Sequence, residues 1–185
     1  PHPQLSKDNP NVYMSMGITA ENVAKKFDIS RKEQQDFAIS SHTKANSARE
    51  TNMFDNEIVS IMNNDQIIDK DGGIRPNTSH EILDGLKLAF DENGTVTAGT
   101  ASPLTDGASA VIVCEEEYAK KNNLNILARI KSTAVVGCPP ELMGLGPINA
   151  SKKALKRANL SISDIDIVEL NEAFASQSLA CIKEL

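Results

Sequence analysis

Apolar and polar positions follow two different periods along this chain, and the most informative change of period lies in 164–185. An acidic turn leads into the apolar run of Ile167, Val168 and Leu170, which is typical of a buried strand and stops at Asn171 and Glu172. The spacing then becomes helical, and its predicted face consists of Phe174, Ser178, Cys181, Ile182 and Leu185. The pattern predicts a strand that feeds a helix, with Asn171 at the carboxyl end of the strand.

Capping signals and turn residues divide the rest of the chain into further elements. Ser30 and Glu33 form a capping box, which predicts a helix, and Thr78 and Glu81 predict another. Thr19 is expected to cap a third helix. The other expected elements are strands at 57–62, 108–114 and 126–136, a charged helix at 115–122, a helix opened by Pro147 and an irregular lead-in at 1–11. The order of strand, helix and strand in the second half favours an α/β fold with a parallel or mixed sheet.

The side-chain amide of Asn171 is the first candidate for chemistry. In an open α/β sheet, ligands collect at the carboxyl ends of strands, and an amide placed there can hold a water molecule or a developing oxyanion. Asn is also a favoured helix cap, so the same residue can serve the following helix alone. The sequence pattern leaves both interpretations open.

Three further features are candidate binding elements. The stretch 95–107 is rich in small and hydroxyl residues around Ser102, which suits either a ligand lying along the backbone or a tight packing corner. Arg75 follows two glycines and could clamp a phosphate or simply be exposed to solvent. Met143 lies in a glycine-rich segment and could line an adaptable apolar pocket.

The cysteines form neither a structural nor a catalytic pattern. There are three, an odd number without CxxC spacing, which indicates a reducing compartment and no disulfide framework. Cys114 lies inside an apolar run and is interpreted as a buried hydrophobe, whereas Cys138 lies in a loop without a neighbouring histidine. The residues alone identify no nucleophile with its base.

Charge and composition exclude several classes of protein. The chain has 185 residues, of which 40% are hydrophobic and 24% charged, and this balance is typical of a soluble globular protein. Its net charge of -6 argues against non-specific binding to nucleic acid or membrane surfaces, and no run approaches the length that crosses a membrane. The chain opens with neither an initiator Met nor a signal-peptide pattern, so we expect it to be part of something longer.

Five motifs, taken together and in order, resemble one family along the whole chain. They are MGITAENVA (16–24), GIRP (73–76), NGTVTAGTASPLTDGASA (93–110), PPELMGLGP (139–147) and NEAFA (171–175). In order and spacing they resemble the thiolases. The resemblance implies chemistry on 3-ketoacyl-CoA, in which a cysteine takes the acyl group, acetyl-CoA leaves and a second CoA accepts the acyl chain. It also implies two similar α/β halves in a layered α-β-α-β-α architecture, with a loop domain inserted in the first half.

By the same resemblance, the chain covers the middle of such a protein. Residues 1–104 would be most of the CoA-binding loop domain, 105–122 the closing strand and helix of the first half, and 123–185 the start of the second half. The family's acyl-accepting Cys would precede Pro1, and its catalytic His and proton-transferring Cys would follow Leu185. The 185 residues alone are therefore expected to be inactive.

The resemblance also implies roles for individual residues. Asn171 would hold the water that completes an oxyanion hole for the thioester carbonyl, and Ser102 would hydrogen-bond the pantetheine arm of CoA. The remaining assignments are Phe90, Ala98 and Phe174 along that arm, Arg75 near the phosphates or nucleotide of CoA, and Met16 and Met143 at the acyl pocket.

The expected function is fatty-acid β-oxidation, with coenzyme A as a substrate and neither a tightly bound cofactor nor a metal. Ser15 stands where short-chain biosynthetic members often have His, which favours a degradative thiolase of broader chain length. The alternatives are a biosynthetic acetoacetyl-CoA thiolase, a non-catalytic acyl-CoA-binding module and a structural partner subunit. The complete protein is expected to be a homodimer or homotetramer in the bacterial cytoplasm or in a mitochondrial or peroxisomal matrix.

Overall fold

The computed structural model describes residues 1–185, and its regular structure is mainly helical. The α-helices are α1 (Pro3–Asp8), α2 (Met16–Lys26), α3 (Arg31–Glu50), α4 (His80–Asp84), α5 (Glu116–Lys121), α6 (Gly146–Ala158) and α7 (Ala175–Glu184). Short 3-10 helices span Pro10–Tyr13, Pro140–Leu145 and Ile162–Asp164, and a hairpin joins β1 (Ile61–Asn63) to β2 (Gln66–Ile68). The lead-in 1–11 is therefore largely helical rather than irregular, because the His2 ring caps α1 and a proline opens it.

α2 begins earlier than its capping signal predicts. Its N-cap is Ser15, whose hydroxyl accepts a hydrogen bond from the Ile18 N–H at 3.4 Å. Thr19, the expected cap, lies inside the first turn, and its hydroxyl donates to the Met16 carbonyl at 2.7 Å. The helix ends before Asp28, which adopts a left-handed conformation with φ 50° and turns the chain towards α3.

The capping box predicted at the start of α3 is confirmed. The Ser30 hydroxyl accepts from the Glu33 N–H at 3.2 Å, and the Glu33 carboxylate accepts from the Ser30 N–H at 2.7 Å. α3 extends over 20 residues from this cap. The second predicted box is wrong: Ser79, rather than Thr78, caps α4, and its hydroxyl accepts from the Ile82 N–H at 3.4 Å.

The core lies where α2, α7 and the 3-10 helix at 140–145 meet. Its apolar members are Val23, Ile29 and Ala180, with Phe27, Leu142, Leu145 and Leu179 packed around them. The buried Ser176 hydroxyl of α7 donates to the Ala20 carbonyl of α2 at 3.0 Å. Gly144 permits a close approach, since a Cβ there would lie 2.9 Å from the Cγ atom of Gln177. The predicted helix at α7 is confirmed, although Ile182 is 61% exposed and does not belong to the buried face.

The hairpin is the only sheet. β1 and β2 run antiparallel, with Ile61 opposite Ile68 and Asn63 opposite Gln66. The turn between them places Asn64 and Asp65 at φ 46° and 66°, a conformation these two residue types tolerate well. The strand predicted at 57–62 is thus confirmed only at its end.

The other three predicted strands form no sheet within this chain. The segments 108–114, 126–136 and 167–170 make no strand pairing, and their apolar side chains are exposed, for example Val111 at 86% and Leu127 at 89%. A strand requires a neighbouring strand that pairs with its main-chain N–H and C=O groups, and no other segment of the chain forms a strand pairing with these three.

One of these segments is nevertheless docked on the helix that follows it. Half-buried and exposed residues alternate from 131 to 140, which is the period of a strand. The Ser132 hydroxyl donates to the Ala154 carbonyl of α6 at 2.7 Å, and the Lys153 ammonium of α6 donates to the Val135 carbonyl at 2.9 Å. The expected strand and helix therefore pack together even though the strand has no partner strand.

Candidate functional site

Main-chain hydrogen bonds join the small-residue stretch around Ser102 to the NEAFA motif. The Ser102 N–H donates to the Ala173 carbonyl at 2.9 Å, and the Ala175 N–H donates to the Thr100 carbonyl at 2.9 Å. Two segments that lie far apart in the sequence thus run side by side. The start of α7 and the residues that precede it are fixed against the stretch that carries Ser102.

Ser102 and Asn171 line one cavity of about 230 Å³. Its walls are formed by Phe37, Ala38, Ser41 and His42 of α3, by Gly99, Thr100, Ala101, Ser102 and Pro103, and by Asn171, Glu172 and Ala175. α7 begins at Ala175, with Phe174 in the N-cap position, so the helix-cap interpretation of Asn171 is wrong. The Asn171 amide is exposed and makes no hydrogen bond within the chain, which leaves it able to bind a ligand or water.

The buried carboxylate of Glu21 holds the beginning of the Ser102 stretch. It accepts hydrogen bonds from the Thr95 N–H at 2.8 Å and from the Val96 N–H at 2.8 Å. Gly94 leaves room for this carboxylate, because a Cβ there would lie 2.2 Å from a Glu21 oxygen. A carboxylate that accepts main-chain N–H groups makes strong hydrogen bonds, so the loop approaches the cavity in a fixed conformation.

Two aromatic side chains, Phe90 and Phe174, contact each other next to the paired segments. The rings of Phe90 and Phe174 meet edge to face, with centroids 5.9 Å apart and an interplanar angle of 79°. The Phe90 ring lies directly on Gly17, where an added Cβ would come within 2.0 Å of a ring carbon. Met16, the residue before that glycine, is 45% exposed. Phe90 and Phe174, which the resemblance assigns to the same arm of CoA, therefore form one apolar surface.

Arg75 reaches the cavity through its main chain. The Arg75 N–H donates to Nδ1 of His42 at 3.2 Å, and the Arg75 carbonyl accepts from the Thr78 hydroxyl at 2.8 Å. The Arg75 side chain is exposed and takes part in none of the ion pairs of the chain. Its guanidinium is thus available to an anionic ligand next to the cavity.

A positive and a negative charge, those of Arg75 and Glu172, act in opposite directions on the pKa of His42. Burial lowers the pKa of His42 below its usual value, the positive charge of Arg75 lowers it further, and the Glu172 carboxylate acts in the opposite direction. Glu172 itself is held by the Ser41 hydroxyl, which donates to its Oε2 atom at 2.5 Å. His42 is consequently favoured in the neutral form, in which Nδ1 can accept the hydrogen bond from Arg75.

Of the eight predicted site residues, only Ser102 and Asn171 line the cavity, and the other six lie outside its wall. Met143 is 46% exposed on the 3-10 helix at 140–145, where its carbonyl accepts a weak hydrogen bond from the Cys138 thiol at 3.8 Å. Ala98 is exposed at the turn between Thr97 and Gly99. The structure therefore brings Ser102 and Asn171 together, joins Phe90 to Phe174, and leaves Met143 and Ala98 at the surface.

None of the three cysteines is placed as an activated nucleophile. Cys181 is buried, burial raises the pKa of its thiol, and its sulfur contacts the Gly144 carbonyl at 3.6 Å. Cys114 is exposed, which contradicts the prediction that it is buried, because no sheet covers the segment 108–114. No thiol hydrogen-bonds a histidine.

Sequence reasoning missed the contribution of α3. Phe37, Ala38, Ser41 and His42 line the cavity at helical spacing, on a face of α3 that continues with the small residues Ala45 and Ala48. Ser41 and His42, one turn after Phe37 and Ala38, were a detectable signal. A hydroxyl and an imidazole on a helix face made of small residues contact the same segment as that face. Glu172, the neighbour of Asn171, was likewise overlooked.

The chain contains no group of three or more His, Cys, Asp or Glu side chains placed to hold a metal ion. None of its helices is both long and apolar enough to cross a lipid bilayer.

Comparison with known families identifies the class of protein. The model of the thiolase N-terminal domain matches residues 6–117, and that of the thiolase C-terminal domain matches residues 124–185. The chain belongs to the thiolase family. The resemblance carried by the five motifs is thus confirmed.

Individual relatives are similar over the whole chain. The 3-ketoacyl-CoA thiolase of Photobacterium profundum is 50% identical over 100% of this chain and 49% of its own length. The corresponding protein of Serratia proteamaculans is 51% identical over the same shares. The chain therefore spans about half the length of the curated relatives it matches.

Solved structures show the same fold. The dimeric peroxisomal thiolase of Saccharomyces cerevisiae superimposes with a TM-score of 0.94 at 43% identity, over 99% of this chain and 47% of that one. Human mitochondrial 3-ketoacyl-CoA thiolase in complex with CoA superimposes with a TM-score of 0.90 at 43% identity, over 97% and 45%. The predicted α/β fold of the thiolase type is thereby confirmed.

Proposed function

We propose that the protein carrying this chain is a degradative 3-ketoacyl-CoA thiolase. It would cleave 3-ketoacyl-CoA with a second CoA, releasing acetyl-CoA and an acyl-CoA shortened by two carbons. The observation that carries this proposal is the main-chain pairing that brings Ser102 and Asn171 to one cavity. The name shared by the relatives from P. profundum and S. proteamaculans supports the same reaction.

Coenzyme A binding is the first contribution we assign to this chain. Ser102 would hydrogen-bond the pantetheine arm, and the joined rings of Phe90 and Phe174 would pack along it together with Ala98. The exposed guanidinium of Arg75 would pair with the phosphates of CoA, since its planar fork of donors matches a phosphate group. The human neighbour in complex with CoA supports this ligand.

Stabilisation of the oxyanion is the second contribution. Asn171 has a side-chain amide without a partner at the cavity, and we propose that it holds a water molecule against the thioester carbonyl oxygen. As the carbonyl carbon becomes tetrahedral, negative charge grows on that oxygen, and the hydrogen bond strengthens. Asn171 would thus lower the barrier more than it tightens the binding of the substrate.

The acyl-accepting cysteine is proposed to lie outside these 185 residues. The Cys181 thiol is buried with a raised pKa, and neither Cys114 nor Cys138 has a neighbouring base. Met16 and Met143, both exposed here, are proposed to border the acyl pocket.

We further propose the arrangement of the whole protein. Residues 1–104 would be the loop domain, 105–122 would close the first half, and 123–185 would open the second half of an α-β-α-β-α layered molecule. The exposed strand-like segments support this arrangement, because each needs a neighbouring strand. A homodimer or homotetramer is proposed on the precedent of the dimeric yeast neighbour, in the cytoplasm or an organelle matrix.

A biosynthetic thiolase is the second candidate. The acetyl-CoA acetyltransferase of Bacillus anthracis superimposes with a TM-score of 0.88 at 43% identity, over 92% of this chain and 44% of that one. The two candidates differ in substrate length. The Ser15 hydroxyl is engaged as the cap of α2, which supports a structural role for a position that often carries His in short-chain members.

The test is a thiolysis assay with the whole protein. 3-Ketoacyl-CoA substrates of four to sixteen carbons are each mixed with CoA, and the acyl-CoA products are identified by mass. We expect acetyl-CoA and the shortened acyl-CoA, with turnover extending to the longer substrates. Turnover confined to acetoacetyl-CoA would favour the biosynthetic candidate, and CoA binding without any turnover would favour the non-catalytic module.

A matched control examines the nucleophile. Replacing Cys114, Cys138 and Cys181 by alanine, one at a time, is expected to leave thiolysis intact in variants that fold. Loss of turnover in a folded variant, with CoA binding retained, would show that the nucleophile lies within this chain after all.

A further inference from the structure

Two consecutive residues of α3 each hold a different part of the proposed site. The Ser41 hydroxyl donates to Oε2 of Glu172 at 2.5 Å, and Nδ1 of His42 accepts from the Arg75 N–H at 3.2 Å. Both α3 residues line the cavity that contains Asn171. A single turn of one helix is therefore in contact with the segment that precedes α7 and with the segment that carries Arg75.

We propose that Ser41 and His42 are positioning residues of the acyl-CoA site. Ser41 acts through Glu172 on Asn171, and His42 acts through the main chain of Arg75 on its guanidinium. The inference rests on the proposed function, because it assigns a support to the residues that would stabilise the oxyanion and bind CoA.

Ser41 has the geometry to hold Asn171 in place. From Ala173 onward the chain is fixed by its pairing with the Ser102 stretch, but the two residues before it belong to no helix or strand. Glu172 makes no hydrogen bond other than that with Ser41, and the Asn171 amide makes none. An O–H···O⁻ hydrogen bond of 2.5 Å is of the strong, charge-assisted kind. This bond is the only side-chain hydrogen bond made by residues 171 and 172, so it fixes the main chain that carries Asn171.

His42 has the geometry to fix the start of the Arg75 loop. Gly72 and Gly73 precede Arg75, and their one hydrogen bond is local, from the Gly73 N–H to the Asp71 carboxylate at 3.4 Å, so no longer-range hydrogen bond holds these two residues. The imidazole accepts the Arg75 N–H only when Nδ1 carries no proton. A guanidinium on a held main chain loses less conformational entropy when it binds a phosphate than one on a free loop.

The proposed role of Ser41 is tested by the steady-state kinetics of the Ser41→Ala and Ser41→Thr variants of the whole protein. Ser41→Ala should lower kcat by about tenfold to a hundredfold, since a small misplacement at a reaction centre has effects of that size. KM for CoA should not change, and Ser41→Thr, which keeps the hydroxyl, should restore most of kcat. A uniform loss of kcat and CoA affinity would indicate damage to the fold rather than to the position of one group.

A double-variant cycle separates positioning from structural support. On an Asn171→Ala background, Ser41→Ala should cause no further fall in kcat, because the group that it positions is already absent. Two multiplicative losses would overturn the Ser41 assignment. Glu172→Gln retains an acceptor for Ser41 and should be milder than Glu172→Ala, and equal effects would likewise contradict it.

The proposed role of His42 is tested by measuring the affinity of His42 variants for CoA. His42→Ala should weaken CoA binding about tenfold with kcat unchanged, and His42→Asn should restore the affinity, because its amide oxygen can occupy the place of Nδ1. Unchanged CoA affinity in His42→Ala would overturn the positioning role of His42. A protein without thiolysis would refute the proposed function and the inference together, whereas a thiolase that depends on Asn171 but not on Ser41 or His42 would refute the inference alone.

Discussion

Arg75 combines a restrained main chain with an unpaired guanidinium. Its N–H is bound by His42, its carbonyl accepts from Thr78, and its side chain is exposed beside the cavity. Such a residue presents a full positive charge without first breaking an internal ion pair. This makes Arg75 the best candidate in the chain for contact with the phosphates of CoA.

Arg75→Ala should therefore weaken CoA binding about tenfold or more, since a hydrogen bond to a charged group contributes about 1.5–3 kcal/mol. The loss should be larger at low salt, where the charge is less screened. Titration calorimetry of CoA at two salt concentrations measures both effects. Lys70→Ala removes the same charge from a nearby exposed position and should have little effect, so equal losses in the two variants would contradict a specific contact.

His42 makes part of the stability dependent on pH. Its pKa is lowered from the ordinary 6.5, first by burial and then by the charge of Arg75, while Glu172 opposes the change. The folded state thus takes up a proton less readily than the unfolded state. The resulting stabilisation is complete above pH 6.5 and is lost as the pH falls through 6.5 towards the lowered pKa of the folded protein.

His42→Asn should remove this component of the pH dependence, because the amide does not titrate. Plots of denaturant midpoint against pH should run parallel for the wild type and the variant above pH 6.5 and diverge as the pH falls below 6.5, with the wild type falling more steeply. Parallel curves throughout that range would show that His42 has an ordinary pKa in the folded protein.

Helix α3 has a start that the local sequence predicts and a middle that lines the candidate cavity. Its start is fixed by the Ser30 and Glu33 capping box, and its middle presents Ser41 and His42 to the cavity. The pKa of Glu33 is lowered, mainly by the Ser30 main-chain N–H and then by its hydroxyl, which agrees with an ionised capping residue. A displaced or frayed α3 would move both positioning residues at once.

Ser30→Ala should lower the free energy of unfolding by about 1 kcal/mol, because it removes the hydroxyl that accepts from the first turn. Ser47→Ala, an exposed change inside the same helix, should have no effect or a slight stabilising one, since Ala has the higher helix propensity. Denaturation of both variants at neutral pH measures the difference. Equal stability of the two would mean that the capping box contributes nothing.

Local signals predicted elements, but not their pairing. The capping box of α3 and the helix opened by Pro147 follow from side-chain chemistry within a few residues, and both are present. The strand at 108–114 depends on a neighbouring strand, which local sequence cannot supply and this chain does not contain. The start of α2 was mistaken because Ser15 and Thr19 are both acceptable caps, and only the packing of the helix decides between them.

At the scale of the whole molecule, the motifs predicted the family and two of the residues that line the candidate cavity, Ser102 and Asn171. Ser102, Asn171, Phe90 and Phe174 were identified from motif resemblance, and the structure brings them together in pairs. The contacts of Ser41 with Glu172 span 131 positions of sequence, and no local pattern encodes such a distance. The prediction that Cys114 is buried was wrong for the same reason, since burial of the segment 108–114 requires a sheet neighbour that is distant in sequence.

The exposed apolar segments predict that the 185 residues on their own associate. Ile112 is 85% exposed and Ile167 79%, on strand-like segments whose main-chain groups are unpaired. Sedimentation velocity should show self-association that Ile112→Lys reduces. Ile82→Lys, a matched change at an exposed residue of α4, should not reduce it. A dilute monomer with a sharp, cooperative thermal transition would contradict this prediction.

Asn171 and Ser102 line one cavity, and the proposal that this cavity is an acyl-CoA site is tested by the steady-state kinetics of Asn171→Ala in the whole protein. If Asn171 holds the water that stabilises the oxyanion, kcat for thiolysis should fall by about 10²–10³ while KM for CoA changes little, because the contact strengthens only in the transition state. An unchanged kcat would remove Asn171 from the chemistry and leave the cavity as a binding site alone.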